Sequence, residues 1–151
     1  MPILLDGNNL LHALPRSARS RAEVRRLVLD ATRHESLSVT VVFDGPPPTG
    51  APPREHLGSV TVVYAGSATA DDVIVGLLPG GAAARQWSVV TDDRGLADRV
   101  RERGATVRRL ADWRRRRKQR LPRRIEMESK LSSRDVAEWE QFFAEGDEDN
   151  D

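Results

Sequence analysis

Six aspartates are the residues of this sequence whose type and position indicate chemistry. Each comes just after a short apolar segment or in the first turn of a helix that follows one. A divalent cation such as Mg²⁺ or Mn²⁺ takes oxygen ligands, keeps several waters and needs only one or two carboxylates directly. A cation held in this way activates water and stabilises charge on a phosphoryl group. The six are Asp6, Asp44, Asp71, Asp72, Asp92 and Asp93.

The elements that must position these aspartates alternate between strands and helices. Apolar, β-branched runs predict strands, and apolar residues at helical spacing predict helices. The predicted strands span residues 3–5, 38–43, 60–64, 88–91 and 106–109. The predicted helices span about residues 18–34, 69–78 with Thr69 as N-cap, 94–103 and 132–144. The Pro-rich segment 45–56 is predicted to be a loop, because proline fits neither a helix interior nor a central strand.

This order predicts an α/β domain of three layers around a mostly parallel sheet, with a C-terminal helical extension. In open α/β sheets, ligands bind beyond the carboxyl ends of the strands. Because the aspartates all follow strands or the turns after them, they are expected to meet at this edge. Clustered carboxylates repel one another, so a metal site is the expected result.

Each aspartate alone also has an ordinary structural explanation. Asp-Gly after a strand is a common turn, and aspartate at a helix start is a common cap. Acidic residues at four places along one sheet edge are much harder to explain in this way, which favours the functional interpretation.

Composition excludes several other classes of protein. The chain has 151 residues and no Cys, which excludes a disulfide framework, a Cys-ligated zinc site and thiol catalysis. No apolar run approaches the roughly 20 residues of a membrane helix, and the N-terminal apolar stretch lacks the basic start of a signal peptide. The expectation is therefore a cytoplasmic protein with no membrane contact.

The net charge of +1 conceals two opposed segments. Residues 1–113 are nearly neutral, residues 114–124 carry eight basic and no acidic side chains, and residues 125–151 carry two basic and ten acidic ones. The boundary after residue 113 divides the α/β domain from a basic segment, an amphipathic helix and an acidic tail. Arginine suits phosphate and bases better than lysine does.

The basic segment has two interpretations that the sequence leaves open. In one, it binds an RNA backbone. In the other, it is a solvated helix paired with the acidic tail. If both hold, the tail competes with RNA for the basic segment. Trp113 beside it either stacks a base or packs in the core. Aromatic residues of the last helix predict a docking face, against the core or another subunit. The basic candidates are Arg114, Arg115, Arg116, Arg117, Lys118 and Arg120.

Four sequence blocks resemble the NYN family of PIN-like ribonucleases, in particular its YacP-like branch. They are LLDGNNLLH at 4–12, VVFDG at 41–45, ATADDVI at 68–74 and VVTDDRGL at 89–96, in the order of the family. The resemblance implies that residues 1–113 form a Rossmann-like nuclease domain that cleaves RNA with Mg²⁺ or Mn²⁺ at clustered acidic residues. It also implies products with 5′-phosphate and 3′-hydroxyl ends, and it leaves open whether a ribosome presents the RNA.

By this resemblance, four aspartates are the catalytic and metal-binding residues, namely Asp6, Asp44, Asp71 and Asp93. Asn9 would orient the site, and Arg94 would bind phosphate, as would Thr91. Asp92 stands where the family usually has Ser, which leaves open whether Asp92 or Asp93 faces the metal. Asp72 is either a further ligand or a charge favoured by the helix dipole.

Two alternatives from other classes remain at this point. One is a structure-specific 5′ nuclease acting on DNA, although such proteins are longer and have helices that this chain lacks. The other is a non-catalytic RNA- or ribosome-binding module that kept the fold. The intact acidic set disfavours the module, because carboxylates buried without a use would be costly.

Overall fold

The computed structural model describes residues 2–33 and 38–115. Six strands form one sheet: β1 (Pro2–Asp6), β2 (Ser38–Phe43), β3 (Arg54–Leu57), β4 (Val60–Tyr64), β5 (Ser88–Val90) and β6 (Thr106–Arg108). Four α-helices accompany them: α1 (Gly7–Ala13), α2 (Arg21–Thr32), α3 (Ala70–Leu77) and α4 (Arg94–Glu102). Short 3-10 turns lie at Arg16–Ala18 and Gly81–Gln86.

The strand order is β3-β4-β2-β1-β5-β6, and every neighbouring pair is parallel except β3 with β4. The carboxyl ends of β1, β2, β4 and β5 therefore lie along one edge of the sheet. The first two strands are in register from Pro2 opposite Ser38 to Asp6 opposite Val42. The predicted mostly parallel α/β sheet is confirmed.

Two separate apolar cores cover the two faces of the sheet, because successive side chains of a strand point to opposite faces. Leu5 and Val41 pack with α1 and α2 on one face. Leu4 and Val42 pack with α3 and α4 on the other. Because helices pack over buried side chains on both faces of the sheet, the predicted three layers are confirmed. Each fully buried aliphatic side chain contributes about 1.5–3 kcal/mol to the free energy of unfolding.

Helix α1 is absent from the sequence prediction, which treats Asp6-Gly7 as a turn. Gly7 instead opens the helix directly after β1, with Asp6 as N-cap. A Cβ on Gly7 would lie 2.6 Å from Phe43 Cδ1 and 2.7 Å from the Val42 carbonyl oxygen. Glycine is therefore needed here for the close approach of α1 to β2. The helix was not predicted because Asp-Gly is typical both of a turn and of a helix start.

Strand β3 corrects the predicted loop over residues 45–56. Residues 46–53 lie outside regular strands and helices, but Arg54 begins an antiparallel strand beside β4 at the edge of the sheet. Proline excludes a central strand, and an edge strand after the last proline satisfies this restriction. Arg25 of α2 stabilises the edge through an ion pair with Glu55 at 2.8 Å.

The C-terminal end of the described residues is helical from 110 to 115. Trp113 is 1% exposed and packs in the core beside α1 and α2, so the core interpretation of this residue is confirmed. The predicted boundary after residue 113 falls within this helix. The amphipathic helix and acidic tail predicted for residues 125–151 lie outside the described residues.

Within residues 2–33 and 38–115, no helix is both long enough and apolar enough to cross a membrane.

Candidate active site

Four aspartates from four different segments line one cavity at the carboxyl edge of the sheet. The cavity has a volume of about 390 Å³. Its aspartates are Asp6 after β1, Asp44 after β2, Asp71 in the first turn of α3 and Asp93 before α4. We call this space the carboxylate cavity. Its other lining residues are Asn8, Asn9, His12 and Thr69.

Asp6 lies at the base of the carboxylate cavity, where it is 7% exposed. Its Oδ1 accepts a hydrogen bond from the backbone N–H of Asn9 at 3.4 Å, which caps α1. Its Oδ2 accepts one from the Thr91 hydroxyl at 2.9 Å. Both oxygens of this carboxylate are therefore held in place by neighbouring segments.

Asp44 is tied to both of the helices that flank it. Its Oδ1 accepts a hydrogen bond from the backbone N–H of Ala70 at 2.7 Å, at the start of α3. Its Oδ2 accepts one from the Asn8 side-chain amide of α1. The Asn8 Oδ1 in turn accepts the backbone N–H of Asp44 at 3.4 Å. Asn8 thus fixes both the backbone and the carboxylate of Asp44.

Asp92 and Asp93 are adjacent in sequence but face different surroundings. Asp93 lines the carboxylate cavity, and its Oδ1 caps α4 by accepting the backbone N–H of Leu96 at 3.1 Å. Asp92 Oδ1 instead accepts the backbone N–H of Leu110 at 3.0 Å, after β6. Of the two, Asp93 is the residue that the structure brings to the other aspartates.

Asp71 and Asp72 diverge in the same way at the start of α3. Asp71 lines the carboxylate cavity, whereas Asp72 forms a 2.8 Å ion pair with Arg99 of α4 and is largely exposed. The predicted N-cap of this helix is confirmed, because the Thr69 hydroxyl oxygen accepts the backbone N–H of Asp72 at 3.1 Å. The placement of Asp72 agrees with its interpretation as a helix-start charge.

The aspartates of the carboxylate cavity repel one another. Burial raises the pKa of Asp6, and the negative charges of Asp71 and Asp93 raise it further, against the opposing hydrogen bonds from Thr91 and Asn9. Burial also raises the pKa of Asp71, as do the nearby carboxylates of Asp93 and Asp44. The positive charge of Arg99 opposes the rise in the pKa of Asp71, but no Lys or Arg is among the described residues that line the cavity.

The donor set of the carboxylate cavity fits a hard divalent cation. Carboxylate and amide oxygens dominate its lining, and their mutual repulsion would be relieved by a positive charge. Among the described residues, no three acidic or histidine side chains lie close enough together to hold one ion. Mg²⁺ does not require three, because it commonly takes one or two carboxylates and completes its shell with water and substrate phosphate.

Sequence reasoning did not identify Asn8 or His12 as site residues. Both belong to α1, which was not predicted, and three- and four-residue spacing puts Asn8, Asn9 and His12 on one side of it. The predicted orienting residue Asn9 acts through Oδ1, which accepts the backbone N–H of Asp92 at 2.8 Å. It therefore positions the segment that carries Asp93.

The basic residues predicted to bind nucleic acid are placed differently from one another. Arg94 is exposed at the start of α4, next to Asp93. Arg115 is exposed and pairs with Asp112 at 3.2 Å. Arg114 was predicted to bind nucleic acid, but it is only 3% exposed. The helix that begins at residue 110 turns its side chain inward, so its guanidinium is not available on the surface. Arg116, Arg117, Lys118 and Arg120 lie outside the described residues.

Comparison with solved structures supports this fold. The chain is similar to a crystal structure of a mutant form of Rae1 (YacP) from Bacillus subtilis, with a TM-score of 0.62 and 23% identity over 99% of both chains. A second crystal structure of Rae1 (YacP) from Bacillus subtilis aligns with a TM-score of 0.59 and 20% identity. That alignment covers 84% of this chain and 80% of the other. No curated protein sequence matches this chain significantly.

A family model settles the classification. The model for the YacP-like NYN domain matches residues 3–144, which include all four aspartates of the carboxylate cavity and extend past the predicted boundary at residue 113. The chain belongs to the YacP-like NYN domain family, a ribonuclease-type family of nucleases.

Proposed function

We propose that this protein is a divalent-metal-dependent endoribonuclease that hydrolyses RNA phosphodiester bonds in the carboxylate cavity. The observation that carries the proposal is the meeting of Asp6, Asp44, Asp71 and Asp93 in one space. These four come from four separate segments, and the pKa values of Asp6 and Asp71 are raised partly by their neighbours. Carboxylates kept together against repulsion are typical of a functional site.

One or two of Asp6, Asp44, Asp71 and Asp93 would bind Mg²⁺ or Mn²⁺ directly, and the others would contact it through bound water. When bound, such an ion lowers the pKa of a water ligand and polarises the phosphoryl oxygen. Asp71 suits a role as a direct ligand, because its carboxylate forms no hydrogen bond with another described residue. Asp6 and Asp44 have their oxygens oriented by neighbouring donors, which limits the rearrangement needed on binding.

Other residues of the chain position these carboxylates. The Thr91 hydroxyl joins two of them, because it donates to Asp6 and accepts the backbone N–H of Asp93 at 3.1 Å. Asn8 holds Asp44, and Asn9 holds the segment before Asp93. Partners of this kind fix the orientation of metal ligands, and their loss typically lowers activity by about 10–100-fold.

The test is cleavage of single-stranded RNA by the full chain with Mn²⁺, with Mg²⁺ and with EDTA, beside a flap DNA substrate. The expected result is RNA cleavage that requires the cation and falls more than about 100-fold in Asp6→Asn. The asparagine keeps the shape of the side chain, and circular dichroism checks that the variant folds.

Three outcomes would contradict the proposal, each in a different way. Metal-dependent cutting of flap DNA, with RNA left intact, would indicate a structure-specific DNA nuclease. Tight RNA binding with no cutting under any metal would indicate a non-catalytic binding module. RNA cutting that persists undiminished in EDTA would contradict the metal requirement.

A further inference from the structure

A second cavity with the opposite character adjoins the carboxylate cavity. Its volume is about 320 Å³, and it lies between α4 and the segment after β6. Three arginines from these two elements line it, and we call it the arginine cavity. Its lining residues are Thr91, Asp92, Arg94, Ala97, Asp98, Arg101, Val107 and Arg109.

The loop after β5 separates the two cavities. Thr91 lines the arginine cavity, yet its hydroxyl donates to Asp6 of the carboxylate cavity at 2.9 Å. Asp92 lines the arginine cavity, and Asp93, the next residue, lines the carboxylate cavity. A polymer bound in one cavity therefore has to pass only the residues 91–93 to reach the other.

The three guanidinium groups are available to a ligand. Arg101 lies 3.7 Å from Asp98, and the two side chains are 62% and 75% exposed. Arg109 lies 3.9 Å from Asp92 and is 72% exposed. Exposed pairs at such distances contribute about 0–1 kcal/mol, so an anion displaces them easily. Arg94 is exposed and forms no ion pair with another described residue.

The acidic residues of the arginine cavity do not cancel its positive charge. Three arginines face two aspartates, and one of these two, Asp92, already accepts the backbone N–H of Leu110. The guanidinium group binds phosphate through two parallel hydrogen bonds and remains charged at every physiological pH. The arrangement fits a phosphodiester that approaches from solvent.

We propose that the arginine cavity binds a backbone phosphate of the RNA strand, one that flanks the scissile phosphate held in the carboxylate cavity. The inference rests on the proposed function and extends it to substrate binding. Arg101 and Arg109, which the sequence did not single out, act with Arg94 as the phosphate ligands. Such a site binds the backbone without reading the sequence of bases.

The first test measures binding of a fluorescent single-stranded RNA of about ten nucleotides by anisotropy, in EDTA, over a series of NaCl concentrations. Arg101→Ala and Arg109→Ala are expected to weaken binding about tenfold each, as loss of a charged hydrogen bond does. The slope of log K against log salt should flatten by about 0.7 for each arginine–phosphate pair that a substitution removes.

Arg85→Ala is the matched control. Arg85 is an exposed arginine of the Gly81–Gln86 turn, which leads into the amino end of β5, at the opposite edge of the sheet. Arg85→Ala removes one positive charge from the protein, as Arg101→Ala and Arg109→Ala do. Weakening that is equal in all three variants would show a general charge effect and would overturn the proposal.

The second test compares cleavage of this RNA with cleavage of a dinucleoside monophosphate, whose single phosphate is the scissile one. In the wild type, kcat/KM should favour the longer RNA, and this preference should shrink about tenfold in Arg101→Ala and Arg109→Ala. Arg85→Ala should keep the preference. A preference that persists in all variants would contradict the inference.

The two tests separate the failure of this inference from failure of the proposed function. If the wild type cuts no RNA but Arg101→Ala and Arg109→Ala bind RNA more weakly than Arg85→Ala does, the arginine cavity stands and the nuclease proposal fails. If the wild type cuts RNA and the variants bind and cut like Arg85→Ala, the nuclease proposal stands and the arginine cavity is not an RNA site.

Discussion

The carboxylate cavity and the arginine cavity are built partly by the same loop, yet their charges are opposite. One gathers four aspartates and, among the described residues that line it, no Lys or Arg. The other gathers three arginines around two aspartates. The loop after β5 contributes to both cavities, because Asp92 lines the arginine cavity and Asp93, the next residue, lines the carboxylate cavity.

This comparison shows that two adjacent aspartates have different surroundings, because their side chains point in different directions. Asp93 belongs to a repelling cluster, whereas Asp92 holds the backbone after β6. Asp71 and Asp72 repeat the division at the start of α3, where Asp72 pairs with Arg99. In both pairs, one carboxylate faces the carboxylate cavity and the other binds a partner outside it.

The largest expected effect separates the two aspartates of the loop. Asp93→Asn should lower RNA cleavage more than about 100-fold, because it removes a proposed metal ligand while keeping a good N-cap. Asp92→Asn should lower it less than about tenfold, because asparagine still accepts the Leu110 N–H. Single-turnover cleavage rates measure both, and equal losses would break the distinction between the cavities.

A smaller effect is expected at Asn8, which was found only from the structure. Asn8→Ala frees the backbone and carboxylate of Asp44, and loss of such an orienting partner costs about 10–100-fold in activity. The measurement is kcat/KM for RNA cleavage with saturating Mn²⁺.

Ser20→Ala is the control for Asn8→Ala. It removes the N-cap of α2, where Ser20 Oγ accepts the Glu23 N–H at 3.1 Å, and should cost about 1 kcal/mol of stability. Thermal unfolding places the two variants on one stability scale. If Ser20→Ala loses as much activity as Asn8→Ala does, destabilisation explains the loss and the positioning role is wrong.

The smallest effect concerns stability and pH. The raised pKa of Asp71 means that its ionised form costs stability in the fold, while the protonated form does not. Asp71→Asn should therefore raise the free energy of unfolding at pH 7 in EDTA, by about 0.2–0.5 kcal/mol, because solvent screens the repulsion at this partly exposed side chain. This gain should disappear as the pH falls below 3.8, the ordinary value for this carboxyl, where it is protonated in both states.

Denaturant unfolding at several pH values measures this gain, and added Mn²⁺ provides the contrast. An ion that binds only the folded state stabilises a protein, and the gain in stability is larger for the variant that binds the ion more tightly. Wild type should therefore overtake Asp71→Asn when Mn²⁺ is present. A variant that is less stable than the wild type at pH 7 in EDTA would show that repulsion in the carboxylate cavity is not a cost.

The sequence was sufficient for most of the fold, because buried parallel strands such as 38–43 stand out as β-branched runs. It was insufficient where a local signal has two meanings. Asp6-Gly7 is typical of a turn but begins α1, and the residues after the prolines form edge strand β3. Both depend on close packing against β2 or β4, which a single sequence does not display.

The candidate site could be predicted to a similar extent. Strand ends and their aspartates could be located, so the four aspartates of the carboxylate cavity are all among the predicted candidates. Which of Asp92 and Asp93 faces the carboxylate cavity could not be predicted, because the sequence does not show the direction of each side chain. The roles of Asn8 and of Arg101 required knowledge of which segments lie beside β2 and α4, and the burial of Arg114 required the orientation of its helix.

The most direct test of the central claim compares two adjacent aspartates of one helix turn. Mn²⁺-dependent RNA cleavage should fall more than about 100-fold in Asp71→Asn and stay within about threefold of wild type in Asp72→Asn. Both substitutions remove one negative charge from the start of α3, so they differ in whether the carboxylate faces the carboxylate cavity. Equal activity in the two variants would contradict the account.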